Sequence, residues 1–409
     1  MSDHWLDRFH QEAVPRIMEI FQPARVIIGI LLFGVSTVAL PQANENAFLH
    51  RKGTQLLLDG KPLRLVSVNK FDLFLRFLEG GEAKQQAAQA IEGAAKQGFT
   101  AIRFAGVGFY PSHMRNWANE KVYWGAFDEL VQTAKQHGVR LIPVINWNLY
   151  LFPDMANECV QDMLTNPDSR SRQYLWLYTY QLVSRYKNEP TILFWELTNE
   201  MNLGADLQFM FPYGRSELNP VHEGTAFMRL RRDNFTTEQM IPFLKEWATF
   251  IKRNDPHHLI GSGLSSPRPA AQHLRQAMGK GDWTEDSEQE METYLRDTHP
   301  DPIDLISIHF YRGHDNLRFG NKEEDSARVL AAFKRAAERI GKPLYIGETG
   351  DDYARRPDAP FLRNVLEQVK KLDIPLTLIW NWMSPGDPYD VSAQRTPQVV
   401  RMMREANDR

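Results

Sequence analysis

The 409-residue chain has only one cysteine, Cys159, so an intrachain disulfide and any cysteine-rich zinc or iron–sulfur site are excluded. An excess of either charge is also missing. Lysine plus arginine (48) nearly balances aspartate plus glutamate (51), for a formal charge of −3, which leaves no electrostatic footprint for nucleic acid as a partner. No Gly-x-Ser-x-Gly elbow occurs, which weakens a serine-hydrolase reading. Gly106-Val107-Gly108 and Gly261-Ser262-Gly263 lack the rest of a dinucleotide or phosphate loop and read as turns. His257-His258 follows Asp255-Pro256 with no carboxylate pattern nearby, so neither a metal nor an organic cofactor is implied. What the chain has in quantity is aromatic side chains, with 10 Trp, 13 Tyr and 23 Phe. That is more planar surface than a core strictly needs.

Val26–Leu40 (VIIGILLFGVSTVAL) stands apart, with 15 uncharged residues directly after Arg25. Its length suits a signal-peptide core and falls short of the roughly 20 residues of a spanning helix. Residues 1–44 are therefore expected to be an export signal, or a membrane anchor that tethers the chain through residues 26–40. The 25 residues before the run are long for a leader, and Met18 would begin a more ordinary one. The mature protein is expected outside the cytoplasm, periplasmic or secreted if not tethered, and monomeric.

From about Asn46 onward, short apolar runs alternate with segments of helical period, the pattern of βα units on a parallel sheet. Candidate strands are Leu63–Asn69, Ala101–Phe104, Arg140–Ile145, Thr191–Leu197, Leu259–Gly261, Leu305–His309, Pro343–Gly347 and Thr377–Trp380. Helix candidates are Ala83–Lys96, Trp124–Gln136, Ser169–Tyr186, Thr237–Arg253, Ser326–Ile340 and Pro360–Leu372. In Trp124–Gln136, Phe127, Leu130, Val131 and Ala134 fall on one face. Eight such units predict an α/β fold, a (β/α)8 barrel, over residues 45–409 as one catalytic domain. The chain exceeds the minimal barrel of about 250 residues, so long βα loops hold the surplus, the longest after the fourth strand. Phe48–Pro62 reads as a hairpin turning at Arg51-Lys52-Gly53 and covering the barrel bottom.

In such a barrel the chemistry gathers where the strands end. Those ends carry Asn69-Lys70, Arg103, Asn146-Trp147-Asn148, Asn199-Glu200, His309 and Tyr311, Glu348, and Trp380 and Trp382. Carboxylates, amides and indoles at one rim are the inventory of a carbohydrate site. Cleaving a glycosidic bond needs one carboxylic acid to protonate the leaving oxygen and a second carboxylate at the anomeric carbon. Glu200 and Glu348 are the candidates, on strands roughly opposite across the barrel. Arg103 would lower the pKa of a neighbouring carboxylate, and indoles can stack on pyranose faces. Glu196, inside the fourth strand, reads as a buried charge paired within the barrel. Asp351 and Asp352, and the charge run Arg229–Asp233, read as solvated. Phe209, Phe211, Tyr213 and Phe227 either wall a sugar cleft or form a small core of the long fourth loop.

With LRLVSVN (Leu63–Asn69), AIRF (Ala101–Phe104), FWELTNE (Phe194–Glu200), SIHFY (Ser307–Tyr311), YIGETG (Tyr345–Gly350) and LIWNW (Leu378–Trp382), the chain resembles glycoside hydrolase family 5. Within that clan of retaining β-glycosidases it is similar to the endo-β-mannanase-like or cellulase-like branch. The resemblance implies Glu200 as acid/base, Glu348 as nucleophile and Asn199 as partner of the sugar 2-hydroxyl. It implies Arg103 and Tyr311 as hydrogen-bond donors to the nucleophile, His309 as an orienter, and Trp380 as the stacking platform. Trp147 and Trp382 are further candidates for sugar contact. The third strand ends in Asn146-Trp147-Asn148, without the histidine of the cellulase branch. The implied reaction is double displacement on a β-linked oligo- or polysaccharide, β-mannan or a related glycan. The proximity of Glu348 is expected to raise the Glu200 pKa. An endo-β-glucanase, an exo-acting β-glycosidase and a non-catalytic carbohydrate-binding barrel are the alternatives, the last disfavoured by the presence of both glutamates.

Overall fold

A computed structural model describes residues 47–207, 220–278, 280–313, 315–321 and 323–408. Val26–Leu40, Phe209, Phe211 and Tyr213 lie outside the described residues. Among those described, no helix is long and apolar enough to cross a membrane.

Eight parallel strands form the central sheet: β4 (Leu65–Asn69), β5 (Ala101–Ala105), β6 (Arg140–Asn146), β7 (Trp195–Thr198), β8 (Ile260–Gly261), β9 (Ile306–His309), β10 (Leu344–Thr349) and β11 (Leu376–Ile379). β4 pairs with β5 on one side and with β11 on the other, and Gly261 bridges Leu305 between β8 and β9. The sheet thus closes, and the predicted (β/α)8 barrel is the observed fold. The strands read as near-continuous apolar runs because helices cover one face while barrel packing fills the other. β5, for example, is buried at every position.

The helices follow from stripe and cap. Glu120–Gln136 buries Phe127, Leu130, Val131 and Ala134, with the Asn119 side chain accepting from the Val122 amide at its start. The Ser169 hydroxyl caps Arg170–Tyr186, and Thr236 opens a reciprocal capping box with Gln239 on Thr237–Asn254. Ser326–Ile340 ends at Gly341, whose φ of 81° needs a residue without Cβ.

Several expectations change. The amino-terminal segment is a three-stranded antiparallel meander, not one hairpin: β1 (His50–Lys52), β2 (Gln55–Leu58) and β3 (Lys61–Pro62). Its second turn is Asp59-Gly60, both with positive φ, a dipeptide suited to tight hairpins. Leu49 and Leu56 from this meander complete a cluster with Ala101, Ile142, Leu193, Phe194, Leu305 and Leu376, closing the bottom of the barrel as expected. The fourth barrel strand starts at Trp195, and Ile192 touches the sheet only through a bridge to Leu141.

The charges expected in solvent are partly buried. Arg229 is 4% exposed and donates to both oxygens of Asp154, with its guanidinium 4.0 Å from the Tyr150 ring centroid. Asp233 accepts from the Val160 amide, so the run Arg229–Asp233 fastens the long loop after β7. Phe227 in that loop is 53% exposed, which removes it from any loop core. Asp351 is buried, accepting from the Phe361 amide near the start of Pro360–Lys371. Helix amides attract carboxylates inward in a way that a run of charges does not reveal.

Candidate active site

Arg103, near the end of β5, is the hub of the site. Fully buried, it donates from Nη1 to Glu348 Oε1 (2.6 Å) and Asn69 Oδ1 (3.1 Å), from Nε to Glu196 Oε1 (2.6 Å), and from Nη2 to Asn199 Oδ1 (2.7 Å). One rigid guanidinium therefore sets the positions of side chains from β4, β7 and β10 and the residue just after β7. The second oxygen of Glu196 accepts from the Tyr345 hydroxyl at 2.7 Å, so Glu196 is the paired internal charge its place in the strand predicts. Two buried carboxylates face one guanidinium. They hold Arg103 cationic, outweighing the burial that opposes its charge.

Glu348, at 6% exposure, receives a second donor, the Tyr311 hydroxyl, on Oε2 (3.1 Å). Burial first, and the charge of Glu348 next, push the Tyr311 phenol well up, so it stays a donor. Glu200 follows β7 with a left-handed φ of 52°, and its amide donates to Gly263 O at 2.9 Å. Its side chain is 33% exposed and accepts on Oε1 from His309 Nδ1 at 2.9 Å. His309 Nε2 has no partner among the described residues, and a Cβ on Gly347 would lie 2.8 Å from it. The hydrogen-bond network assigns a hydrogen to Nδ1, aimed at Glu200.

One side-chain atom each of Glu200, His309 and Glu348 lies within 4.8 Å of the others. The three could surround a cation, but His309 Nδ1 would first have to lose the hydrogen that it donates to Glu200. A second cluster, His273, Asp286 and Glu290, is occupied by local bonds: Asp286 accepts from the Gln272 and His273 amides, and Glu290 from Ser287. His258, considered for ligation, bonds Asp255 instead (2.6 Å).

Trp380 is half-buried and stands 5.9 Å from Trp147, with Phe71 and Phe109 completing an aromatic wall. Trp147 is 8% exposed beneath the Arg103 guanidinium, 4.5 Å from its ring centroid, so it supports the wall more than it offers a face. Trp382 does not reach the cleft. It is 1% exposed, donates from Nε1 to Ala90 O (2.9 Å) and packs edge-on against Phe99, behind the barrel under helix Gly81–Lys96. Alternation would place it beside Trp380 only in an extended strand, and β11 ends at Ile379.

The electrostatics invert the expectation. Burial alone would raise Glu200, but the hydrogen bond and charge of His309, the charge of Arg103 and the neighbouring Ser265 hydroxyl hold its carboxyl below the ordinary glutamate value. Glu348 is pushed above that value by burial, offset only in part by His309 and Arg103 and reinforced by Glu200. A pair this close titrates as a unit, with apparent values that belong to neither group alone.

Sequence reasoning missed four contributors. Phe71 and Phe109 lie just beyond strand ends, where the rule that located Glu200 would also find them. Asp315 accepts from the Tyr311 amide (2.8 Å), and burial pushes its pKa up to about 6. Ser265 carries no motif.

Residues 58–386 match the cellulase model of glycosyl hydrolase family 5. Mannan endo-1,4-beta-mannosidase 2 of Arabidopsis thaliana is 23% identical over 421 aligned residues, covering 93% of this chain and 89% of that protein. Mannan endo-1,4-beta-mannosidase 2 of Oryza sativa subsp. japonica is 24% identical, covering 88% and 84%. The crystal structure of the endo-1,4-beta-mannanase from Rhizomucor miehei superimposes with a TM-score of 0.64 at 18% identity, covering 88% of this chain and 99% of that one. Likeness at that identity shows the fold, while the family match spans most of the chain. With two carboxylates facing each other across the top of the barrel, the chain belongs to glycosyl hydrolase family 5 and is a glycoside hydrolase.

Proposed function

We propose that the enzyme hydrolyses β-1,4-linked mannan within the chain, with Glu348 as nucleophile and Glu200 as acid/base. The observation that carries this is the pair itself: carboxylate oxygens of Glu200 and Glu348 approach within 4.8 Å, short of the gap of about 6.5–9.5 Å that leaves room for water in an inverting enzyme. Glu348 attacks the anomeric carbon, forming a glycosyl ester as the bond to the leaving oxygen breaks, and Glu200 gives that oxygen its proton. Glu200, now ionised, takes a proton from the water that cleaves the ester, which restores both groups. Asn199 spends its oxygen on Arg103 and so presents Nδ2 as a donor to the 2-hydroxyl.

The productive microstate has Glu348 ionised and Glu200 protonated. With Glu348 raised and Glu200 lowered, that microstate is a minor one, and the acid limb of the profile follows Glu200 while the alkaline limb follows Glu348. The expected kcat/KM profile is a bell in the acidic range, and activity that stays flat from about pH 5 to 8 would contradict it. Substrate covers Glu200 and removes its water, so the alkaline limb of kcat should lie at higher pH than that of kcat/KM.

Action within a chain is supported by a groove of about 1020 Å³ on the same barrel face, lined by Asp72, Arg76, Gln86, Ser112, His113 and Glu223. Asp72 and Ser112 lie within a few residues of Phe71 and Phe109 of the aromatic wall. The relatives named for mannan favour that substrate over glucan. On mannan, glucomannan, cellulose and β-1,3-glucan, the expected result is release of oligosaccharides from mannan first, with rates on β-1,4-manno-oligosaccharides rising with length. Monosaccharide as the sole early product would replace the reading with an exo-acting enzyme, and preference for cellulose would replace the substrate.

A polysaccharide of this size is met outside the membrane, so export through residues 26–40, by cleavage or as a tether, belongs with the proposal.

A further inference from the structure

Two loops build one side of the groove that adjoins the aromatic wall. After β5 the chain makes a single 3-10 turn, Pro111–Met114. The loop after β7 comes back onto that turn: Glu223 accepts from the Ser112 hydroxyl, and Gly224, with φ of 87°, lies so near that a Cβ there would sit 2.9 Å from Pro111 Cβ. Inside the turn, His113 Nδ1 accepts from two backbone amides, those of Phe109 (3.2 Å) and Tyr110 (3.3 Å). An imidazole nitrogen that accepts carries no hydrogen, so the network assigns the hydrogen of the neutral ring to Nε2. Burial pushes the His113 pKa down and keeps the ring neutral, since a hydrogen on Nδ1 would meet both amides head-on. His113 lines the groove, and its Nε2 has no hydrogen-bond partner among the described residues. One ring thus holds the backbone of the aromatic wall with one nitrogen and leaves an N–H for the groove with the other.

The charges beside it are already partnered. Asp72 pairs with Lys70 (2.7 Å) and with Arg76, Glu82 accepts from Gln86 (3.1 Å), and Glu223 holds Ser112. A partnered carboxylate still has lone pairs to offer, so the groove presents acceptors next to one unspent neutral donor. That combination suits a neutral polyol, whose hydroxyls both give and take hydrogen bonds, better than an ion. We propose that His113 is a substrate-binding residue: its Nε2–H donates to a hydroxyl of a β-1,4-linked mannosyl unit that lies past the aromatic wall, in the groove. The unit bound there is remote from the reacting bond, so its contact contributes binding along the chain and no chemistry.

The inference rests on cleavage within a mannan chain, and two replacements of one ring separate the claims. Asparagine sets Oδ1 where Nδ1 stands, so it keeps the bonds to the two amides and loses the far N–H. Glutamine sets its amide nitrogen near the place of Nε2, so it keeps the donor and loses the bonds to the amides. In the wild type, kcat/KM should rise from mannotriose to mannohexaose. In His113→Asn that rise should shrink about fivefold, the effect of one hydrogen bond between neutral groups, and His113→Gln should keep most of it. Calorimetric titration of mannohexaose into Glu348→Ala protein, with and without His113→Asn, should give a Kd about fivefold weaker in the double variant, a readout that needs no turnover. The full rise and an unmoved Kd in His113→Asn would overturn the proposal. So would the reverse order, with His113→Gln losing the rise that His113→Asn keeps, because the ring would then act only as a support of the wall. Wild-type protein whose rate does not rise with chain length would overturn the reading of cleavage within the chain instead.

Discussion

Glu348→Ala leaves a folded protein whose turnover of β-mannan falls on the order of 10⁵-fold, as expected when a group that forms the covalent intermediate is removed. The fold survives because Arg103 keeps Glu196, which faces it at 2.6 Å, so no buried cation is stranded. Tyr311 loses one hydrogen-bond partner, and the truncated side chain leaves space beside the anomeric carbon. A small anion such as azide can enter that space and attack an activated aryl mannoside, so turnover of that substrate should partly return, with the α-mannosyl azide as product. Glu200→Ala should behave differently, losing most activity on phenyl mannoside and little of the first step on dinitrophenyl mannoside. Circular dichroism and a melting curve like those of the wild type check the fold. Activity within about 100-fold of wild type in Glu348→Ala would remove Glu348 as nucleophile.

Arg103→Met carries the second large effect, and here both stability and activity fall. The guanidinium is the shared partner of Glu196 and Glu348, which are 0% and 6% exposed, and of the two asparagines beside them. Breaking a buried ion pair by removing one partner typically costs about 3–5 kcal/mol, because the remaining charge is left in a poor solvent. For a domain of this size that lowers the melting temperature by about 5 °C. Arg103→Lys recovers only part of the loss, since one ammonium cannot reach four acceptors spread over three directions. Adding Glu196→Gln to Arg103→Met removes one stranded charge and should return part of the stability but none of the activity. That non-additivity separates the structural role of Arg103 from its role at Glu348. A melting temperature unchanged in Arg103→Met would show that the hub does not bear the load assigned to it.

Much of this was legible in the order of residues. Continuous apolar runs marked the eight strands because a buried parallel strand needs them, and the ends of those strands pointed to Arg103, Asn199, Glu200, His309, Tyr311 and Glu348, which the structure brings together. Period and position report burial along one element, however, and not the neighbour across the barrel. Trp382 shows this: it sits two residues from Trp380, yet a carbonyl on a neighbouring helix takes its N–H. The relative pKa values of the two glutamates were read in the wrong direction for the same reason. Proximity of like charge was visible in the sequence. The greater burial of Glu348, and the donor His309 on Glu200, depend on contacts between residues far apart in the sequence.

The assignment of the two carboxylates is tested most directly by trapping the intermediate. A 2-deoxy-2-fluoro-β-mannosyl fluoride slows both steps by destabilising the positive charge at the anomeric carbon, while its good leaving group lets the first step proceed. Mass spectrometry of the inactivated, digested protein should find one fluoromannosyl group, attached to Glu348. A label on Glu200 or Glu196, or hydrolysis of mannan that releases the α-anomer first with no covalent adduct, would contradict the account.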